Sequence, residues 1–193
     1  NEGCKVAIAD IRQDSIDAAL KSLDNREVMG VQLDVASRDG FKAAADEVEA
    51  KFGPVSILVN NAGVNLFQPI EESTYDDWDW LLGANLHGVI NGVQTFVPRM
   101  VERVKAGTQV GGHVLNTASM AGLTSPAFMS PYNVSKHAVV ALSETLYHDL
   151  KLVDAPEDSP QTVQTGDAYA DVLPRSTAPC STPNPTPETL NHD

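Results

Sequence analysis

The sequence predicts an α/β protein, a parallel β-sheet with helices on both faces. Two observations carry this. Four short runs rich in Val, Ile and Leu are spread between residues 5 and 119, and segments with helical apolar spacing stand between them. Strands that alternate with helices form a layered sheet with right-handed crossovers. That arrangement brings the strand C-termini to one edge, where ligands bind in such sheets.

KVAIAD (5–10) is an apolar run ending in an acid, the pattern of a buried parallel strand. IDAALKSL (16–23) has helical spacing, and EVMGVQLDV (27–35) reads as a second strand. Residues 37–52 form an amphipathic helix through FKAAADEVEAKF, with Ser37 suited to cap it and Gly53-Pro54 to stop it. VSILVN (55–60) is a third buried strand. Residues 74–106 make a long helical region with a break expected near Gly83. GGHVLNTAS (111–119) holds a fourth strand. Residues 131–152 form a helix whose proline suits the first turn.

The totals bound the function classes. The chain has 193 residues, enough for one domain with a sizeable core, and 42% are hydrophobic. A formal net charge of −13 argues against nucleic acid and anionic membrane surfaces, which attract Lys and Arg. No apolar run approaches the roughly 18 residues of a membrane span. No export signal opens the chain, and its first residue is Asn1, so the start is read as a cut. Two cysteines at opposite ends suggest no disulfide framework and a cytoplasmic setting. No Cys/His cluster has metal spacing. From 155 onward the character changes: seven of the twelve prolines and a single basic residue, Arg175, fall there. The expected division is a folded domain over 1–153 and a disordered Pro-rich tail over 154–193.

Tyr-x-x-x-Lys occurs twice on the last predicted helix, as YNVSK (132–136) and YHDLK (147–151). Side chains four apart on a helix are neighbours, so spacing alone does not separate the copies. Fifteen residues of helix put them about 22 Å apart, too far to serve one site. Tyr132 lies at the start of its helix, just after a loop, with Ser119 upstream at the end of the fourth strand. The matching position for the second copy is Val134, inside the helix. The first copy is therefore the chemical one. A nearby ammonium favours phenolate, which brings a phenol closer to working pH as a general base. The Ser119 hydroxyl can hydrogen-bond an oxygen on which charge develops. A proton relay of this type needs a hydride donor or acceptor, which points to nicotinamide.

These residues stand among LVNNAGV (58–64), GANLHGV (83–89) and HVLNTASMAG (113–122). Together with YNVSK, and in this order, they resemble the short-chain dehydrogenase/reductase family over about residues 5–153. The resemblance implies a Rossmann-like fold and NAD(P)-dependent interconversion of a secondary alcohol and a ketone. It implies a catalytic tetrad of Asn85, Ser119, Tyr132 and Lys136, with Asn85 organising water toward Lys136 and Lys136 also holding the nicotinamide ribose. Asn61, Ala62 and Gly63 fall in the family's cofactor-side motif. Asp10 at the end of the first strand suits a ribose 2′-hydroxyl and favours NAD, while Arg12 leaves NADP open. Asp34 and Val35 resemble the adenine-contacting pair. Asn85 bridging backbone groups at a helix break, Asp10 as a loop cap and Asp34 as a cap before Ser37 are the plainer readings. Leu123, Thr124, Phe128 and Met129, with Val64 and Phe67, are expected to line the pocket for a small, mainly apolar substrate. Dimers or tetramers through the two long helices follow by family analogy.

The sequence departs from the family pattern at both ends. The family's first strand and its Gly-rich phosphate-binding turn have no counterpart. That strand lies centrally in the family's sheet, so two apolar edges are expected to be open. The last strands have none either, and EDSPQTVQTG is expected to stem from a frame shift or a gene fragment. The Rossmann-like sheet is thus expected to be incomplete. The two expectations for such a chain are an oxidoreductase with Tyr132 as acid/base, or an inactive remnant that binds cofactor weakly.

Overall fold

The computed structural model describes residues 3–23, 27–152 and 168–172. β1 (Val6–Asp10) and β2 (Val28–Gln32) pair in parallel, with Asp10 opposite Gln32. α1 (Gln13–Ser22) connects them and seats Ile16, 1% exposed, against Gly30. Met29 and Val31, buried on alternate positions to Gly30, point to the opposite face. Leu33 continues that face into the main core. Helices therefore lie on both faces, as the alternating pattern predicts.

β3 (Ile57–Asn60) and β4 (Gly112–Asn116) form a second parallel pair. The core gathers on one face of it. Phe41 and Ala45 from α2 (Arg38–Phe52), Val93, Val97 and Met100 from α4 (Gly88–Lys105), and Val139 and Leu146 from α5 (Ser130–Leu152) cluster with Leu58 and Val114. Ser37 caps α2 as its residue type predicts, its hydroxyl accepting from Gly40 N–H at 3.0 Å. Glu49 of α2 accepts from Arg103 and Arg99 of α4. The Arg103 hydrogen bond, foremost, holds the Glu49 carboxyl below the usual carboxylate range.

The two parallel pairs form separate sheets, ordered β1–β2 and β3–β4–β5. β1 and β3 have no strand pairing between them among the described residues, and Val6 of β1 and Ile57 and Val59 of β3 are exposed. Two features differ from expectation. The interruption expected near Gly83 falls there, but as a π-helical turn rather than a break in the helical course. α3 (Tyr75–Leu82), started by a Thr74–Asp77 capping box, runs into a π-helical turn over Gly83–His87 and on into α4 with helical dihedrals throughout. A π turn absorbs one extra residue without ending the helix. In addition, Ala168–Val172, within the stretch expected to be a strandless tail, form β5, antiparallel to β4. An open edge on β4 needs only backbone groups from its partner, so a weak local pattern suffices. The rest of the tail lies outside the described residues.

α4 crosses β3 very closely. A Cβ on Gly92 would sit 2.1 Å from Asn60 Oδ1, and Asn60 is itself tied to Asn116. Gly92→Ala is expected to cost about 1–3 kcal/mol despite the better helix propensity of alanine. Urea denaturation of variant and wild type measures this.

Candidate active site

A buried line of side chains sets α5 against the sheet. Asn60 Nδ2 of β3 donates to Asn116 Oδ1 of β4 at 2.9 Å. Asn116 Nδ2 donates to Ser143 Oγ of α5 at 2.9 Å, and Ser143 donates to Val139 O at 2.8 Å. Asn116 is 0% exposed and Ser143 1%. Buried amides demand partners, so this chain fixes the register of α5 along the strands.

That register puts the first Tyr-x-x-x-Lys at the C-terminal end of β4. Lys136 is 4% exposed, and its Nζ donates to Thr117 O, just past the strand, at 2.7 Å. It lies 5.6 Å from the centroid of the Tyr132 ring. Burial pushes the Lys136 ammonium below its ordinary pKa of 10.5. Ser119 follows Thr117 by two residues and starts a 3₁₀ turn over Met120–Gly122, its Oγ accepting from Ala121 N–H at 3.2 Å. Gly122 docks that turn on α5: a Cβ there would be 2.7 Å from Lys136 O. Ser119, Tyr132 and Lys136 are thus carried by one turn and one helix locked together at the same strand end.

Asn85 lies in the π turn, 0% exposed. Its Oδ1 accepts from Val64 N–H at 2.7 Å, and its Nδ2 donates to Val64 O at 2.9 Å and Ser135 Oγ at 3.3 Å. Its side chain therefore bridges backbone groups and holds the 61–64 segment over α5, without a direct bond to Lys136. Gly63 sits between them, where a Cβ would lie 3.3 Å from Asn85 Oδ1 and 3.9 Å from Lys136 Nζ. Asn61 is exposed, with Thr117 Oγ1 donating to its Oδ1 at 3.1 Å; Ala62 beside it is also exposed.

The remaining candidates lie around β1 and β2. Asp10 ends β1, and its Oδ1 accepts from Arg12 N–H at 2.8 Å. The Arg12 guanidinium is turned to Ser15 Oγ and Asp14. Asp34 accepts from Ala36 N–H at 2.9 Å, a local turn before Ser37. Val35 packs on α4: Asn91 Nδ2 donates to Val35 O at 2.8 Å, and a Cβ on Gly88 would meet Val35 Cγ2 at 2.8 Å. The 34–36 segment is thereby joined to the helix that carries Asn85. Asp10 is linked to it through the Leu33 N–H bond to Asp10 O.

The second Tyr-x-x-x-Lys also makes contact: Lys151 Nζ lies 3.8 Å from the Tyr147 ring centroid. That is closer than the first pair, yet Lys151 is exposed and Tyr147 turns its ring toward His148. Burial, not spacing, distinguishes the copies. Sequence reasoning missed Thr117, whose contribution is a backbone carbonyl, and Ser135. It also missed the Asn116–Ser143 pair, although an asparagine inside the apolar run HVLN signals a buried polar link.

Known proteins resemble this chain in sequence and fold. The family model described as short chain dehydrogenase matches residues 1–154. C alpha-dehydrogenase of Sphingobium sp. (strain NBRC 103272 / SYK-6) is 42% identical over 145 residues, 74% of this chain and 46% of that protein. A solved short-chain dehydrogenase chain from Novosphingobium aromaticivorans superposes with a TM-score of 0.75 at 73% identity, covering 78% of this chain and 57% of that one. A short chain dehydrogenase/reductase from Burkholderia phymatum in complex with NAD gives a TM-score of 0.74 at 41% identity, covering 78% and 53%. The chain spans about half the length of these relatives.

The burial of Lys136 has a measurable pH signature. Below its lowered pKa the amine is charged in the folded and unfolded chain alike, and the full burial cost applies. Between that pKa and 10.5 the unfolded chain binds the extra proton, so stability rises with pH. In denaturant melts from neutral pH to above 10.5, wild type is expected to gain stability relative to Lys136→Met as pH rises. A flat difference contradicts the burial.

Proposed function

Because the chain belongs to the short-chain dehydrogenase family, we propose that it is an NAD(P)-dependent oxidoreductase that interconverts a secondary alcohol and a ketone. The observation that carries this reading is the buried Lys136 ammonium, anchored on Thr117 O beside the Tyr132 ring. A lysine so placed favours the phenolate form of a neighbouring tyrosine and makes it a competent base.

The residues fit a nicotinamide ribose. Lys136 has three N–H donors, and one is spent on Thr117 O among the described residues. The Gly63 backbone, without a side chain, leaves the space beside Nζ open. When bound, the cofactor would accept hydride from the carbinol carbon, or return it to the carbonyl carbon. Tyr132 takes the hydroxyl proton in oxidation and gives it back in reduction. Ser119 accepts from Ala121 N–H, which leaves its own O–H to donate to the substrate oxygen. Asn85 is a positioning residue: it holds Val64, and with it the exposed 61–63 backbone, in place for the cofactor. A water link from Asn85 toward Lys136 belongs to the same proposal.

Asp10 stands at the strand end where a ribose 2′-hydroxyl would lie, and Arg12 is turned away to Ser15, which favours NAD over NADP. Asp34 and Val35 are assigned to the adenine side. The substrate is small, uncharged and mainly apolar. Pairing of copies through α4 and α5, and a cytoplasmic setting, complete the reading.

Tyr132→Phe is the direct test. The Tyr132 hydroxyl makes no hydrogen bond among the described residues, so Tm is expected to stay within a few degrees. Turnover of a secondary alcohol, followed by reduced nicotinamide absorbance, should fall about 100- to 10,000-fold. Unchanged turnover contradicts the role.

A further inference from the structure

The loop between Ser119 and α5 holds a backbone conformation that bulky residues seldom adopt. Phe128 has a φ of 64°, the only positive φ outside glycine among the described residues. A left-handed aromatic residue is a costly outlier that persists only where its surroundings enforce it. Here three hydrogen bonds do so. Gln68 N–H donates to Phe128 O at 3.0 Å, Asn133 N–H donates to Met129 O at 2.8 Å, and Asn133 Nδ2 donates to Pro126 O at 2.8 Å. The loop is clamped from two sides. Gln68 follows the Gly63 segment, and Asn133 is the neighbour of Tyr132.

Packing does not explain why a phenylalanine occupies this position. Phe128 is 60% exposed, and glycine would adopt the same φ without strain. Its surroundings suggest a different reason. Phe67, Met120 and Leu123 are also largely exposed, and all three lie in the segments that flank the site. Residues 55–70 and 114–135 contain no charged side chain, in a chain with 26 acidic and 13 basic residues. The neutral stretch ends at Lys136 itself. Apolar side chains left exposed together beside a polar centre mark a ligand surface.

We propose that Phe128 is a specificity-determining residue, whose left-handed backbone presents an apolar ring to the apolar arm of an uncharged alcohol or ketone held at Ser119 and Tyr132. This rests on the oxidoreductase reading above.

Phe128→Gly separates this role from a structural one. Its Tm should stay level or rise by a few degrees, since glycine relieves the strain and little packing is lost. The preference for 2-octanol over 2-propanol, as a ratio of kcat/KM values, should fall about 10-fold. Phe128→Leu, which keeps an apolar side chain, should retain most of that preference. Ligand-observed NMR of the whole chain with 2-octanone and acetone gives the same comparison without turnover. If wild type binds 2-octanone in preference to acetone, Phe128→Gly loses that preference and neither alcohol is oxidised, the oxidoreductase reading fails while the contact of Phe128 with the apolar arm stands. A fall in Tm of more than about 5 °C, the size of a lost packing contact, overturns the assignment. So does a preference unchanged in Phe128→Gly, or no preference in wild type.

Discussion

The site depends on one hydrogen bond, from the Lys136 ammonium to the carbonyl of Thr117. A cation that is 4% exposed is held at the end of β4 by one backbone oxygen and a neighbouring ring, with no carboxylate among its partners in the described residues. Such a group is costly to bury, and its depressed pKa reflects that cost. Protein interiors seldom keep a charge in this condition unless it serves a ligand. The rest of the described fold reads as the scaffold that keeps this ammonium in place.

Each neighbouring element contributes a constraint. The Asn60–Asn116–Ser143 line sets how far α5 slides along the sheet, and Gly92 lets α4 approach close enough to cover Asn60. Gly122 docks the Ser119 turn on the backbone of Lys136 itself. The π turn swings Asn85 inward, where it grips Val64 by both its N–H and C=O. Glycines and buried amides, rather than apolar bulk, make the precise contacts, while the Val, Leu and Phe cluster behind them supplies the burial. Strain appears in the loop between Ser119 and α5, in the backbone of Phe128.

Much of this was legible in the sequence, for local reasons. The strands at β1 to β4 are short apolar runs, and Ser37 and the 74–106 helical region carry their own capping and periodic signals. The position of Ser119 sets YNVSK apart from YHDLK in the sequence, and burial sets the two lysines apart in the structure. Lys151 approaches its tyrosine more closely than Lys136 does, but in the open. What was not legible involves backbone groups and long-range packing. The carbonyl of Thr117 has no sequence signature. A π turn depends on what Asn85 finds in the 61–64 segment and α5, and β5 pairs through main-chain atoms. Asp34 looks the same in sequence whether it caps a turn, as it does here, or meets a ligand.

The central claim is that the buried ammonium of Lys136 forms part of a nicotinamide site. Isothermal titration of NAD into the wild-type chain and into Lys136→Met tests it most directly. Loss of a hydrogen bond from a charged donor should weaken binding about 10- to 100-fold. Equal affinity in the two proteins, or no binding by wild type, would contradict the account.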